Sequence, residues 1–184
     1  MSRWFGLFAV FLVGCSQAAL PVAEYVRAME TTADVYVADS QELSAQYQDQ
    51  VISEITDMAQ DAPPDADILA VGIARSATKD YLEVLANEML RFVDAMEALA
   101  PPVDVAQDHD EFVASVRSVY SSMPRTVAEV GQADSLDEIR LALTASGFAD
   151  GQIRWTAACT ALESSVRLLG SGIDLGCVRP QVVP

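Results

Sequence analysis

The side chains able to do chemistry are few: one histidine, His109, and three cysteines, Cys15, Cys159 and Cys177, with Trp155 one helical turn before the second of them. His109 is flanked by Asp108, Asp110 and Glu111, which has the composition of an acid–base or metal centre. On a helix, however, adjacent residues point apart. The face-mates of His109 at three and four positions are Val105, Ala106, Phe112 and Val113, none of them a metal ligand. The expected role is a core or helix-start histidine, hydrogen-bonded to a carbonyl or carboxylate. Twenty-seven Asp+Glu guarantee chance carboxylate pairs, so no such pair marks an acid–base couple. The sequence has no Glu-x-x-His of di-iron bundles, no His-Glu-x-x-His, no Cys-x-x-Cys, no glycine-rich phosphate loop and no calcium-loop spacing. On this reading there is no catalytic residue, no metal site and no cofactor. A net charge of −16, with eleven Lys+Arg, excludes nucleic-acid binding by phosphate neutralisation and a charge-driven anionic membrane partner.

Cys15 has a different setting. Arg3 is followed by an apolar run from Trp4 to Val13, interrupted only by Gly6. Ten such residues rise about 15 Å as a helix, half a hydrocarbon core, which suits a secretory signal rather than a span. The run ends in Leu12-Val13-Gly14-Cys15, which resembles the lipobox of bacterial lipoproteins. The resemblance implies that residues 1–14 are a cleaved signal peptide and that the Cys15 sulfur is diacylated. It further implies that the new N-terminus is acylated, with palmitate-type chains. Residues 15–21 would form a lipidated tether spanning at most about 20 Å. Ser16, not Asp, follows the lipidated position. The sorting rule of that family then implies the outer membrane in a diderm cell, or the outer face of the plasma membrane in a monoderm.

With Cys15 assigned to lipid, Cys159 and Cys177 are an even pair in an exported, oxidising compartment. Cys159 lies about 15 Å before the end of the last helical pattern, and the segment after Leu169 can run back more than 20 Å. A disulfide is the expected state, stabilising the fold by about 3 kcal/mol in the chain-entropy model. The alternative is two free thiols, one of them a nucleophile lacking a base.

The elements that must position these groups read as helices. Val22, Val26, Met29, Ala33, Tyr36, Ser40, Leu43, Tyr47, Val51, Ile55, Met58 and Ala62 form a heptad-like stripe, stopped by Pro63-Pro64. A second helix carries Leu69, Ile73, Leu82, Leu85, Met89, Phe92, Met96 and Leu99, and ends at Pro101-Pro102. A third runs from Asp104 to Val130 with His109 on its apolar face, and Pro124 predicts a kink or a break. A short helix follows, capped by Asp134 or Ser135, holding Leu136, Ile139 and Leu143, and ended by Gly147. The last carries Ile153, Trp155, Cys159, Leu162, Val166 and Leu169, and an extended tail runs from Ile173 to Pro184. Residues 22–184 are therefore expected to be one all-α domain, an antiparallel helical bundle with the tail stapled back.

The Pro101-Pro102 pair before the His109 helix, Trp155-Thr156-Ala157-Ala158-Cys159 and Asp174-Leu175-Gly176-Cys177 resemble the layout of a group of uncharacterised helical bacterial envelope lipoproteins. The likeness covers residues 80–177. It implies an all-helical fold and a Cys159–Cys177 bridge, and no activity.

From Val22 to Ala62 there are nine acidic residues and one basic, Arg27. Such a face is either solvated or docks a basic partner or divalent cations. The function expected is a lipid-anchored, non-enzymatic scaffold or protein-interaction module of an envelope complex, its partner another envelope or membrane protein. The alternative is a small-molecule binder with an apolar cavity lined by Trp155, His109, Phe92 and Met89. An exposed apolar stripe on the first helix favours the former, and a large internal pocket the latter.

Overall fold

The computed structural model describes residues 18–61, 63–145 and 147–177. The expected signal peptide, the lipobox-like segment and Cys15 lie outside the described residues, as does the tail beyond Cys177. Five helices and no strand occur among the described residues: α1 Val22–Asp61, α2 Ala66–Glu97, α3 Ala106–Gln132, α4 Leu136–Ala145 and α5 Phe148–Leu168. α1 starts where the Pro21 carbonyl accepts from the amides of Glu24 and Tyr25 at 2.9 Å. It runs forty residues because no glycine or proline interrupts it. The turn at Pro63-Pro64 reverses the chain, and the Pro63 and Asp65 carbonyls take the first free amides of α2. Pro102 is extended, and Val103–Val105 form one tight 3₁₀ turn before α3, which therefore begins two residues later than the apolar pattern predicts. Ser135 caps α4 through the Glu138 amide at 3.2 Å, while the Glu138 carboxylate reaches back to the Asp134 amide at 2.6 Å.

Neighbouring helices are antiparallel, as cross-helix pairs show. Tyr36 stacks on Phe92 and Tyr47 packs against Tyr81, so α1 and α2 run oppositely. Arg117 of α3 bonds Asp94 and Glu97 of α2, while Gly131 lies beside Lys79. Asp108 accepts from Ser165 and Ser118 from Arg154, which sets α3 against α5. The two are tightly packed at Gly151, where a Cβ would stand 3.0 Å from Val119 Cγ2. The core joins the first four turns of α1, the second half of α2, and α3 and α5, around Tyr25, Met29, Leu82, Leu85, Met89, Met96, Phe112, Met123, Trp155 and Leu162. α4 closes one end through Ile139 and Ala142, with Leu136 exposed.

Three details go beyond the sequence pattern. Of the kink or break expected at Pro124, the break does not occur: α3 is continuous, the ring removing one amide from the ladder while Met123 and Thr126 are buried on either side. Ile153 is exposed, because the buried face of α5 is the four-residue series Gly151, Trp155 and Cys159, and Ile153 lies two residues, about half a turn, from it. The long stripe of α1 is fully buried only as far as Tyr36, and Leu43 and Tyr47 pack half-buried against the edge of the core. Between Tyr36 and Ala77 no described residue is buried. Beyond Tyr47 in α1 and before Ala74 in α2 the two helices thus form an arm outside the bundle. Its base is held by the Tyr47–Thr78 hydroxyl contact at 3.1 Å and by Arg75 donating to the Ala133 carbonyl at 3.0 Å.

Candidate functional site

His109 is only 2% exposed and faces α1, where the Tyr25 hydroxyl lies 2.9 Å from Nδ1. The Met96 carbonyl is a second partner of the ring. A carbonyl only accepts, so the arrangement that satisfies both puts the ring proton on Nε2 and has Tyr25 donate to Nδ1. Burial pushes the imidazole below its ordinary pKa of 6.5, against the opposing pull of Asp110 and the Met96 bond. Burial also pushes the Tyr25 phenol up, and Asp108 and Asp110 add to the shift. The pair is therefore neutral near neutral pH, and it ties α1 to α3. The hydrogen-bond partner foreseen for His109 was a carbonyl or carboxylate; Met96 supplies the carbonyl, and Tyr25 joins it from 84 residues away.

Trp155, Phe92 and Met89 all lie in the core. Phe92 sits at the centre of a ring cluster, 4.6 Å from Tyr36, 6.1 Å from Phe112 and 6.2 Å from Trp155. These spacings are the ordinary offset and edge contacts of packed aromatics. The gap left between Ala33, Phe92, Met96, Phe112, Trp155 and Leu175 measures about 10 Å³, the room of a single water. Trp155 Nε1 borders this packing with no acceptor among the described residues. On the outer side of α5 a shallow open groove of about 770 Å³ runs over Ala149, Ile153, Thr156, Thr160 and Ser164, without a charged side chain.

The third cluster brings the two distant cysteines together. After α5, Gly170 takes a left-handed turn and the chain doubles back, burying Ile173 and Leu175 against the bundle. Leu175 donates its amide to Glu163 Oε1 at 2.8 Å, and Gly176 donates to Asp174 Oδ1 at 2.8 Å. The second turn, through Gly176 and Cys177 at positive φ, sets the Cys177 thiol over Cys159. Both thiols are free, with Cys159 buried and Cys177 half-buried. The two sulfurs and a carboxylate oxygen of Glu163 lie within 4.8 Å of one another. Glu163 is itself only 7% exposed, and its other oxygen accepts from Arg167 at 3.2 Å. Burial, then Cys177 and Glu163, push the Cys159 thiol well above the usual range. The sequence reading paired the cysteines and overlooked Glu163. The signal was present, since a residue four after Cys159 must share its face.

The fourth feature is the arm. Ile52 is 64% and Ile68 75% exposed, and Ile55 and Leu69 also reach solvent. Between Arg27 and Arg75 the chain has ten carboxylates and no basic residue. Among the described residues no cation pairs with a carboxylate of α1. No helix among the described residues is long and apolar enough to cross a membrane.

Comparison with known proteins adds no relative: no family model, no curated protein and no solved structure matches this chain.

Proposed function

We propose that the chain is a lipid-anchored extracytoplasmic protein that works without catalysis, as a scaffold or protein-interaction module of an envelope complex. The observation that carries this reading is the arm. Two helices leave the bundle with isoleucines in water and an unbroken acidic surface; the bundle also exposes apolar side chains, Ile153 and Leu168 among them, but on a helix that carries Arg154 and Arg167 beside its acids. Exposed apolar residues inside a field of one sign fit a basic amphipathic segment of another envelope protein: the charge steers the encounter and the apolar contacts hold it. A photo-crosslinking residue at position 52 or 68 should capture one envelope partner in native membranes, through a peptide rich in Lys and Arg. The same probe at position 153 on α5 should not. Equal yields at all three positions, or none at the arm, would sink the reading.

The anchor rests on Leu12-Val13-Gly14-Cys15 and the short approach to α1. Mass spectrometry of the native protein should find Cys15 as an acylated N-terminus; an unlipidated N-terminus at Ser16 or later would overturn it. The juxtaposition of Cys159 and Cys177 supports a disulfide in the exported chain: rotation of the half-buried Cys177 side chain brings the sulfurs together, and thiol–disulfide exchange with an oxidised dithiol carrier, which is reduced in turn, takes the two electrons and two protons. Alkylation of the denatured native protein should label these two thiols only after reduction. Labelling without reductant would refute the bond.

A further inference from the structure

We infer that Cys159, Glu163 and Cys177, in their dithiol form, constitute a binding site for a thiophilic divalent cation of the zinc type. Two thiolates and one carboxylate are a recognised ligand set for tetrahedral zinc, with the fourth position left to water. The three donor atoms, within 4.8 Å of one another, need only small side-chain rotations to reach a common ion. They come from two elements whose relative placement is fixed without any ion. Cys159 and Glu163 share one face of α5, and Cys177 is delivered by a tail that Ile173 and Leu175 anchor in the core.

The surroundings fit. Glu163 is held by the Leu175 amide on one oxygen and by Arg167 on the other, the orienting contacts that ligating carboxylates have, and each oxygen retains a lone pair. Charge also closes: two thiolates and a carboxylate offset a divalent ion and the Arg167 guanidinium. Without the ion the same groups repel one another as anions in a largely buried spot, so the thiols stay protonated; coordination removes those protons. Cys177 is half-buried, so the ion has a path from solvent. Closure of the disulfide consumes both sulfur ligands, so oxidised chain cannot hold the ion. This site is independent of the arm and of what the arm binds.

The test uses the full chain, reduced and stripped of metal, titrated with Co²⁺ and then Zn²⁺. One equivalent of Co²⁺ should give a thiolate-to-cobalt charge-transfer band, and Zn²⁺ should displace it and slow alkylation and oxidation of both cysteines. C159S and C177S should each lose the band while keeping the helical circular dichroism of the parent. E163Q retains an acceptor for the Leu175 amide, so the tail stays in place, but it should bind at least about tenfold more weakly. Absence of the band, equal binding by a C159S/C177S chain through surface carboxylates, or undiminished affinity in E163Q would each overturn the site.

Discussion

The bundle and the arm are made from the same two helices, and they differ in what lies beside them. In the bundle, α1 and α2 meet α3 and α5, and Tyr25, Met29, Leu82, Leu85 and Met96 lose all contact with water. In the arm, above the base that Arg75 ties to Ala133, the two helices face each other alone, and Val51 and Met58 reach half-burial while Ile52 and Ile68 stay in solvent. A helix pair offers one seam, and a third and fourth helix are needed to enclose a side chain. The apolar stripe continues along α1 regardless, so its distal part has no internal use that its spacing alone reveals.

The comparison breaks most directly at a buried side chain. Phe92→Ala should cost about 3–5 kcal/mol in urea denaturation, since it empties the centre of the ring cluster, and Leu85→Ala about 2–5 kcal/mol. Ile52→Ala and Ile68→Ala, by contrast, should move stability by less than about 0.5 kcal/mol. Similar losses in both regions would mean that the arm is enclosed. Next in size, Gly151→Val should cost about 1–3 kcal/mol, because the added methyls meet Val119 and push α5 off α3. No arm residue should be so sensitive to added volume.

His109→Gln should cost about 1–3 kcal/mol at neutral pH by leaving Tyr25 or Met96 poorly paired. It should also remove a pH dependence. The folded pKa lies below the unfolded value of 6.5, so the unfolded state takes up the proton first as pH falls. The His109 contribution is complete above 6.5, declines below it, and levels off once pH passes the folded pKa. Parent and variant melting curves should therefore converge as pH is lowered from 7; a constant gap would show that the imidazole does not titrate in that window. The smallest stability effect belongs to the acidic face. Asp49→Asn with Glu54→Gln and Asp57→Asn should change stability by only tenths of a kcal/mol, or raise it by easing repulsion. The same triple change should lower partner crosslinking at position 52 and flatten its dependence on salt.

Helix number, order and antiparallel sense were legible in the sequence, because the prolines at 63–64 and 101–102 and the period of the apolar residues act locally. What covers each stripe was not, since that depends on partners distant along the chain. Ile153 was grouped with the buried stripe of its helix for this reason, and the stripe of α1 gave no sign of where its cover ends. Between the kink and the break that Pro124 allows, the sequence could not choose; a continuous helix follows where the residues on both flanks are buried. Around the cysteines the even number pointed to a pair, and the structure brings the two sulfurs close together with both thiols free. Glu163 was hidden by its resemblance to twenty-six other acidic residues, and only the returning tail, which gives its carboxylate the Leu175 amide, sets it apart.

The length of α1 has a consequence for the geometry of encounter. Its forty residues rise about 60 Å from Pro21 to the arm's tip, and Leu20 is bonded to the Ala100 carbonyl, so the helix is rooted at the end where the chain enters. If the molecule is anchored through Cys15 as proposed, a segment that can span at most about 20 Å keeps the tip within a half-sphere about 80 Å in radius. One tip in that volume is an effective concentration on the order of 1 mM for any basic segment in the same patch of membrane. An interaction with a dissociation constant near that value in free solution would be about half-occupied at the membrane, so the arm needs no large interface to act.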